Sequence, residues 1–172
     1  KMTPEFILLE SVRNGSPVPH ALFHETCDET ISSFLLSCGC SVAEIDAVLA
    51  ALDPLLFGEK ESFCYDSVCG SFGNFLFDAV CRCAASIRDI ALLPARERWE
   101  EEWKKHVIRQ SLLKLRREMP PDEYLAFEVY VVEGKPAREA AVLSSMSPEM
   151  VYFIKTRALR RLRALRHEFE AV

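Results

Sequence analysis

The stretch Pro136-Ala137-Arg138-Glu139-Ala140-Ala141-Val142-Leu143-Ser144-Ser145-Met146-Ser147-Pro148-Glu149-Met150-Val151-Tyr152-Phe153-Ile154-Lys155-Thr156-Arg157-Ala158-Leu159-Arg160-Arg161-Leu162-Arg163 decides how this chain reads. Pro136 to Ser144 predicts a short helix whose small residues, Ala140 and Ala141, let a second helix cross closely. Ser145-Met146 forms the turn. Ser147 then caps a second helix, Pro148 sits at its first position, and Glu149 suits its positive end. That second helix is expected to run from about Ser147 to His167. At about 100° per residue, Val151, Ile154, Ala158, Leu162 and Leu165 share one face, which predicts the core side. Glu149, Phe153, Thr156, Arg157, Arg160 and Arg163 fall on or near the other, with Tyr152 at its edge.

Charge sharpens this pattern. The 172 residues carry a net charge of −5, unevenly distributed. Residues 1 to 95 hold five bases against thirteen acids, and residues 96 to 172 hold sixteen bases against thirteen acids. Between Lys155 and Arg166 there are six bases and no acid. A solvated helix face can look like this, but the cluster is also the electrostatic footprint a phosphate backbone demands. An exposed Phe153 among bases makes sense beside a thymine methyl, with Thr156 or Arg157 reaching base edges in a major groove. Arg160, Arg161 and Arg163 are then expected to neutralise phosphates, while Lys155 packs its stem near the core face and flanks the groove with its ammonium.

Outside this stretch, nearly everything reads as helix, and period-two strand patterning is absent. Phe23, Cys27, Ile31, Phe34 and Cys38 recur at helical steps in a first helix from Pro19 to Cys38, which Gly39 caps. Ser41-Val42-Ala43-Glu44 is a capping box opening a second, which Pro54 to Gly58 ends. Residues 59 to 70 read as a loop. A broad apolar stripe then marks Ser71 to about Ile90. Leu92-Leu93-Pro94 is the expected boundary between two small helical domains, 1–93 and 94–172. A long helix then runs to Glu118, with Trp99, Trp103, Val107, Leu112 and Leu115 inward. Pro120-Pro121 stops it, and Asp122 is expected to cap a short helix reaching Val132. The expected fold class is therefore all-α.

Other chemistry finds little support. No run is long and apolar enough for a membrane span, and the N-terminus lacks the basic-then-apolar pattern of a secretory signal, so a cytoplasmic protein is expected. Seven cysteines occur, an odd number, with no C-x-x-C. The pairs Cys38-Gly39-Cys40 and Cys81-Arg82-Cys83 lack a matching histidine spacing. Free thiols acting as small buried hydrophobes are the plainer expectation. His20-x-x-x-His24 is the one helical histidine pair, read as two partly exposed side chains. No enzyme, cofactor or metal is expected.

The residues Glu133 to Ala141, Met146 to Tyr152 and Lys155 to Arg163 resemble the last domain of extracytoplasmic-function (ECF) sigma factors of bacterial RNA polymerase. Arg96 to Met119 is similar to the helix that begins that domain. Phe63-Cys64-Tyr65-Asp66 followed by Gly70 to Leu76 matches the family's loop before its promoter-melting helix. The likeness runs from about Ala21 to Phe169. It implies two helical domains that bind RNA polymerase core, at the β′ clamp and the β flap. The C-terminal domain would read the minus-35 element of promoter DNA through Glu149, Tyr152, Phe153, Lys155, Thr156, Arg157, Arg160, Arg161 and Arg163. The N-terminal domain would melt the minus-10 element, and an anti-sigma factor would be a further partner.

The chain departs from the family pattern at specific positions. Acidic and amide residues that usually face the clamp fall at Ala47-Val48-Leu49-Ala50-Ala51. Bases expected along the melting helix fall at Phe77, Cys81, Cys83 and Ala84, leaving Arg82 and Arg88. The usual turn glycine is Ser145, where a left-handed backbone would cost about 1 kcal/mol more than with glycine. Ser144 stands where leucine is usual, with Leu143 beside it, so the first helix could be rotated or shifted by a residue. Two expectations stay open. One is an ECF-type sigma factor. The other is a sigma-like DNA-binding regulator that no longer engages polymerase core, its acidic N-terminal domain serving protein interaction.

Overall fold

The computed structural model describes residues 7–90 and 92–172. Among them the chain is all-α apart from one two-residue ladder. The order is α1 (Leu8–Arg13), β1 (Val18–Pro19), α2 (His20–Ser37), α3 (Val42–Leu56), β2 (Ser62–Phe63), α4 (Phe72–Ala85), α5 (Leu92–Glu118), α6 (Pro121–Phe127), α7 (Ala137–Ser144) and α8 (Pro148–Glu170). β1 and β2 pair antiparallel, with Val18 opposite Phe63 and Pro19 opposite Ser62. This ladder lies partly in the expected loop. It was invisible to alternation because two residues per strand carry no period.

Local chemistry accounts for most helix ends. Ser41 Oγ accepts from the Glu44 amide at 3.2 Å, and the Glu44 carboxylate accepts from the Ser41 amide at 3.3 Å, so the capping box of α3 is complete. Ser71 caps α4 by accepting from the Asn74 amide at 3.3 Å. Gly39, at φ 87°, succeeds α2 in the left-handed conformation that glycine adopts without a Cβ clash. α6 corrects one expectation. Its N-cap is Pro120 and Pro121 is its first residue, so Asp122 lies in the first turn rather than at the cap. Proline suits that position because its missing N–H would be unpaired there anyway. Beyond Phe127 the backbone widens into a π turn over Glu128–Val132.

Two compact units result: Lys1–Ile108 with Phe169–Val172, and Arg109–Glu168. The expected division at 93/94 therefore moves. α5 runs unbroken through it, and the aromatic residues of its first half belong to the first unit. Trp99 is buried against Phe34 and Phe77, and Trp103 stacks on Trp99 with ring centroids 5.7 Å apart. Gly73 on α4 makes this approach feasible. Trp99 Nε1 donates to the Gly73 carbonyl at 3.0 Å, and a Cβ at Gly73 would lie 2.6 Å from Trp103 Nε1. Phe169 and Val172 also bury in this core.

The second unit is built on small residues. Ala126, Ala137, Ala140, Ala141 and Ala158 are buried with Leu115, Phe127, Val151, Ile154 and Leu165. Small side chains let α6, α7 and α8 share one core at close range.

Candidate nucleic-acid interface

The helix, turn and helix expected from the sequence are present as α7, Ser145–Ser147 and α8. Ser145 takes φ 56° and ψ 44°, and among the described residues it is the only non-glycine with positive φ. The Met146 amide donates to the Ala141 carbonyl at 2.9 Å and the Ser145 amide to Val142 at 3.3 Å. These bonds close α7 in the manner of a Schellman turn. Ser144 is buried and donates its hydroxyl to the Ala140 carbonyl. Its position keeps the inward register, and Leu143 points outward. A hydroxyl bonded to its own helix replaces the missing apolar side chain. Ser147 accepts from the Met150 amide at 3.2 Å and so caps α8.

The core face of α8 is as its periodicity predicts: Val151, Ile154, Ala158 and Leu165 are buried, and Leu162 is half-buried. On the opposite side Glu149, Phe153, Thr156, Arg160 and Arg163 form an exposed strip. Phe153 exposes 58% of its surface and Tyr152 53%, which is unusual for aromatic side chains. Among the described residues Arg160 and Arg163 have no acidic partner. Thr156 donates its hydroxyl to the Tyr152 carbonyl at 3.1 Å, which leaves its methyl and its acceptor lone pairs outward.

The two flanks of this strip differ. On one side Lys155 is half-buried, with Nζ 5.2 Å above the Tyr130 ring, and Tyr152 meets the same ring edge-on at 5.7 Å. Lys155 thus packs near the core face as expected. Tyr130 was missed because it lies on the π turn, whose register the helical period does not describe.

On the other side Arg157 and Arg161 are each paired with a carboxylate. Arg161 places Nε and Nη2 each 2.7 Å from the Glu118 carboxylate, a bidentate pair, with Glu168 at 3.5 Å. Arg157 pairs with Glu123 and lies 5.7 Å from the Phe153 ring centroid. The reason is angular. Residues 157 and 161 sit a quarter to a third of a turn from the strip's centre, where the end of α5 and the start of α6 bring two carboxylates. The bond to Arg161 holds the Glu118 carboxyl below its usual range. Both arginines remain 40–49% exposed, so solvent screens both pairs.

In the first unit, α4 stands at the position of the melting helix that the resemblance implies. Phe72, Leu76, Phe77, Val80, Cys83 and Ala84 are buried. Its exposed side chains include Asn74, Asp78 and Arg82, and Asp78 approaches Arg96 at 4.0 Å. No basic stripe runs along it. The cysteines are only partly the buried hydrophobes expected. Cys27, Cys40 and Cys83 are buried, Cys38 and Cys81 are half-buried, and Cys64 and Cys69 are exposed. Burial pushes the Cys27 thiol up to about 12 and the Cys81 thiol up to about 11, so neither is a thiolate near neutral pH.

Among the described residues no helix is long and apolar enough to cross a membrane. No protein-family model matches the chain, and no curated protein or solved structure matches it either.

Proposed function

We propose that the chain is an ECF-type sigma factor whose C-terminal unit reads the minus-35 element of promoter DNA through α8. The observation that carries this reading is the exposed strip Glu149, Phe153, Thr156, Arg160 and Arg163 on a helix whose other face is buried. A merely solvated face gives no physical reason for Phe153 to stay 58% exposed on the strip that carries the unpaired Arg160 and Arg163. A major groove supplies both partners, thymine methyls for the ring and phosphates for the bases. Phe153 and Thr156 read base edges in this account. Arg160 and Arg163 neutralise phosphates, and Arg157 and Arg161 join them by exchanging carboxylate for phosphate. Polymerase core, through its β′ clamp and β flap, would supply the chemistry of initiation, and an anti-sigma factor would be the regulatory partner.

The test is DNA binding by the full chain across a salt series. A negative slope of log affinity against log salt is expected, smaller by about one for Arg160→Ala. A flat slope ends the proposal. Phe153→Ala should change which sequences bind best, whereas Arg160→Ala should weaken all sequences alike.

One observation favours a second reading, a sigma-like regulator that binds DNA without opening it. α4 buries most of its side chains and offers Arg82 as its one base, so it has little with which to hold a displaced strand. Co-purification with polymerase core at low salt separates the two. Retention on core supports the sigma factor, and loss of core with DNA binding intact supports the regulator.

A further inference from the structure

A group of side chains in the first unit plays no part in DNA reading. His20 and His24 lie one turn apart at the start of α2, and Asp53 comes from the last turns of α3. One donor atom of each of the three lies within 4.8 Å of the other two. His20 Nε2 is 3.1 Å from Asp53 Oδ2, and His24 Nε2 is 2.6 Å from Asp53 Oδ1. On its far side His24 Nδ1 is 2.8 Å from Asp28 Oδ1.

The surroundings hold this group in place. The His20 amide donates to the Glu61 carbonyl at 2.9 Å, which ties the start of α2 to the segment carrying β2. Phe57 packs on the His20 ring at 4.9 Å, and Phe23 meets the His24 ring edge-on at 5.4 Å. These rings form an apolar wall behind the donors. The open side faces solvent, since His20 exposes 48% of its side chain and Asp53 38%.

The hydrogen-bond count on His24 is the informative feature. A neutral imidazole has one donor nitrogen and one acceptor nitrogen, and an ionised carboxylate only accepts. His24 has a carboxylate on both nitrogens. Without another cation both nitrogens must therefore donate, so the ring must be an imidazolium. A metal ion resolves the same geometry differently. It replaces the proton at Nε2, keeps the Asp53 carboxylate as a ligand, and leaves Nδ1–H donating to Asp28. A ligating histidine oriented by a carboxylate on its other nitrogen is a recurrent metal-site arrangement.

We propose that His20, His24 and Asp53 form an exchangeable site for a zinc-class divalent ion, with Asp28 orienting His24. Two imidazole nitrogens and one carboxylate suit Zn²⁺ and its neighbours better than Mg²⁺ or Ca²⁺, which favour all-oxygen sets. Two neutral histidines with two carboxylates balance a divalent charge. Three protein ligands leave a fourth tetrahedral position for water on the exposed side. The ion would clip the start of α2 to the end of α3, so metal and folding stability are linked. The seven thiols have no role in this site.

The test uses the full chain, stripped by chelator and titrated with Zn²⁺ and, separately, Co²⁺. Expected results are a single zinc ion per chain, a rise in Tm on adding it, and Co²⁺ d–d bands of a four-coordinate site without a thiolate charge-transfer band. His20→Ala, whose side chain is half-exposed, should abolish binding while circular dichroism stays helical. Asp28→Asn should weaken binding roughly 10–100-fold. Cys64→Ser with Cys69→Ser should change nothing. The proposal is overturned if no zinc is retained, if His20→Ala binds as well as the parent, or if cobalt shows thiolate ligation.

Discussion

The two compact units solve the same problem, burying amphipathic helices, with opposite materials. The first fills its core with Phe23, Phe34, Phe72, Phe77 and Trp99. The second packs alanines at its helix contacts. Large aromatic side chains fill the first core, and α4 gives up most of its surface to meet them. Small side chains leave α8 needing only a narrow buried stripe, so a whole face stays free. A helix can present a face to a ligand only where packing does not use it. On that criterion α8 keeps a face available to a ligand, and α4 offers little beyond Asn74, Asp78 and Arg82.

The sharpest way to break this contrast is to empty the aromatic core. Trp99→Ala removes the largest fully buried side chain and its bond to the Gly73 carbonyl. A loss of about 3–5 kcal/mol in urea unfolding is expected. A loss below about 1 kcal/mol would mean that the first unit does not depend on this packing. Next in size is Ser145→Gly, which relieves a left-handed backbone at φ 56°. It should stabilise by about 1 kcal/mol, and destabilisation would contradict the turn geometry.

A smaller effect concerns the flank of α8. Glu118 is held below its ordinary value of 4.5, first by its bond to Arg161. The pair's contribution is therefore fully present above about pH 4.5 and is lost as pH falls through the lower folded value. Arg161→Ala should flatten the acid limb of a stability-versus-pH curve, and an unchanged limb would show that the pair is inert. The smallest stability effect should come from the free strip. Arg160→Ala and Arg163→Ala should each stay within about 0.5 kcal/mol of the parent, while each lowers the salt slope of DNA binding by about one. A large stability change there would mean that the strip is structural.

Much of the second unit was legible because its signals are local. Ser147, Pro148 and the period of Val151, Ile154, Ala158 and Leu165 lie within one stretch of chain, and capping and periodicity act over a few residues. Arg157 and Arg161 read less well. Their spacing places them beside the strip, but Glu118 and Glu123, which claim them, lie 34 to 43 residues earlier. The metal-type cluster hid for the same reason. His20 and His24 were visible as an i,i+4 pair, yet Asp53, which turns a bland pair into three converging donors, is 29 residues beyond His24.

By itself the amino-acid order determined the all-α class, the caps at Gly39, Ser41 and Ser147, the left-handed demand at Ser145 and the buried stripe of α8. Each arises from interactions between residues within one or two turns, where the chain has few alternatives. Tertiary structure alone decided where the compact units divide. A boundary read at Leu92-Leu93-Pro94 does not show that Trp99 and Trp103 pack with Gly73 rather than with the helices C-terminal to them. It also decided which arginines on α8 remain free. Side-chain charge is written in the sequence, but its availability depends on carboxylates brought near by folding, and Coulomb attraction acts on distance in space.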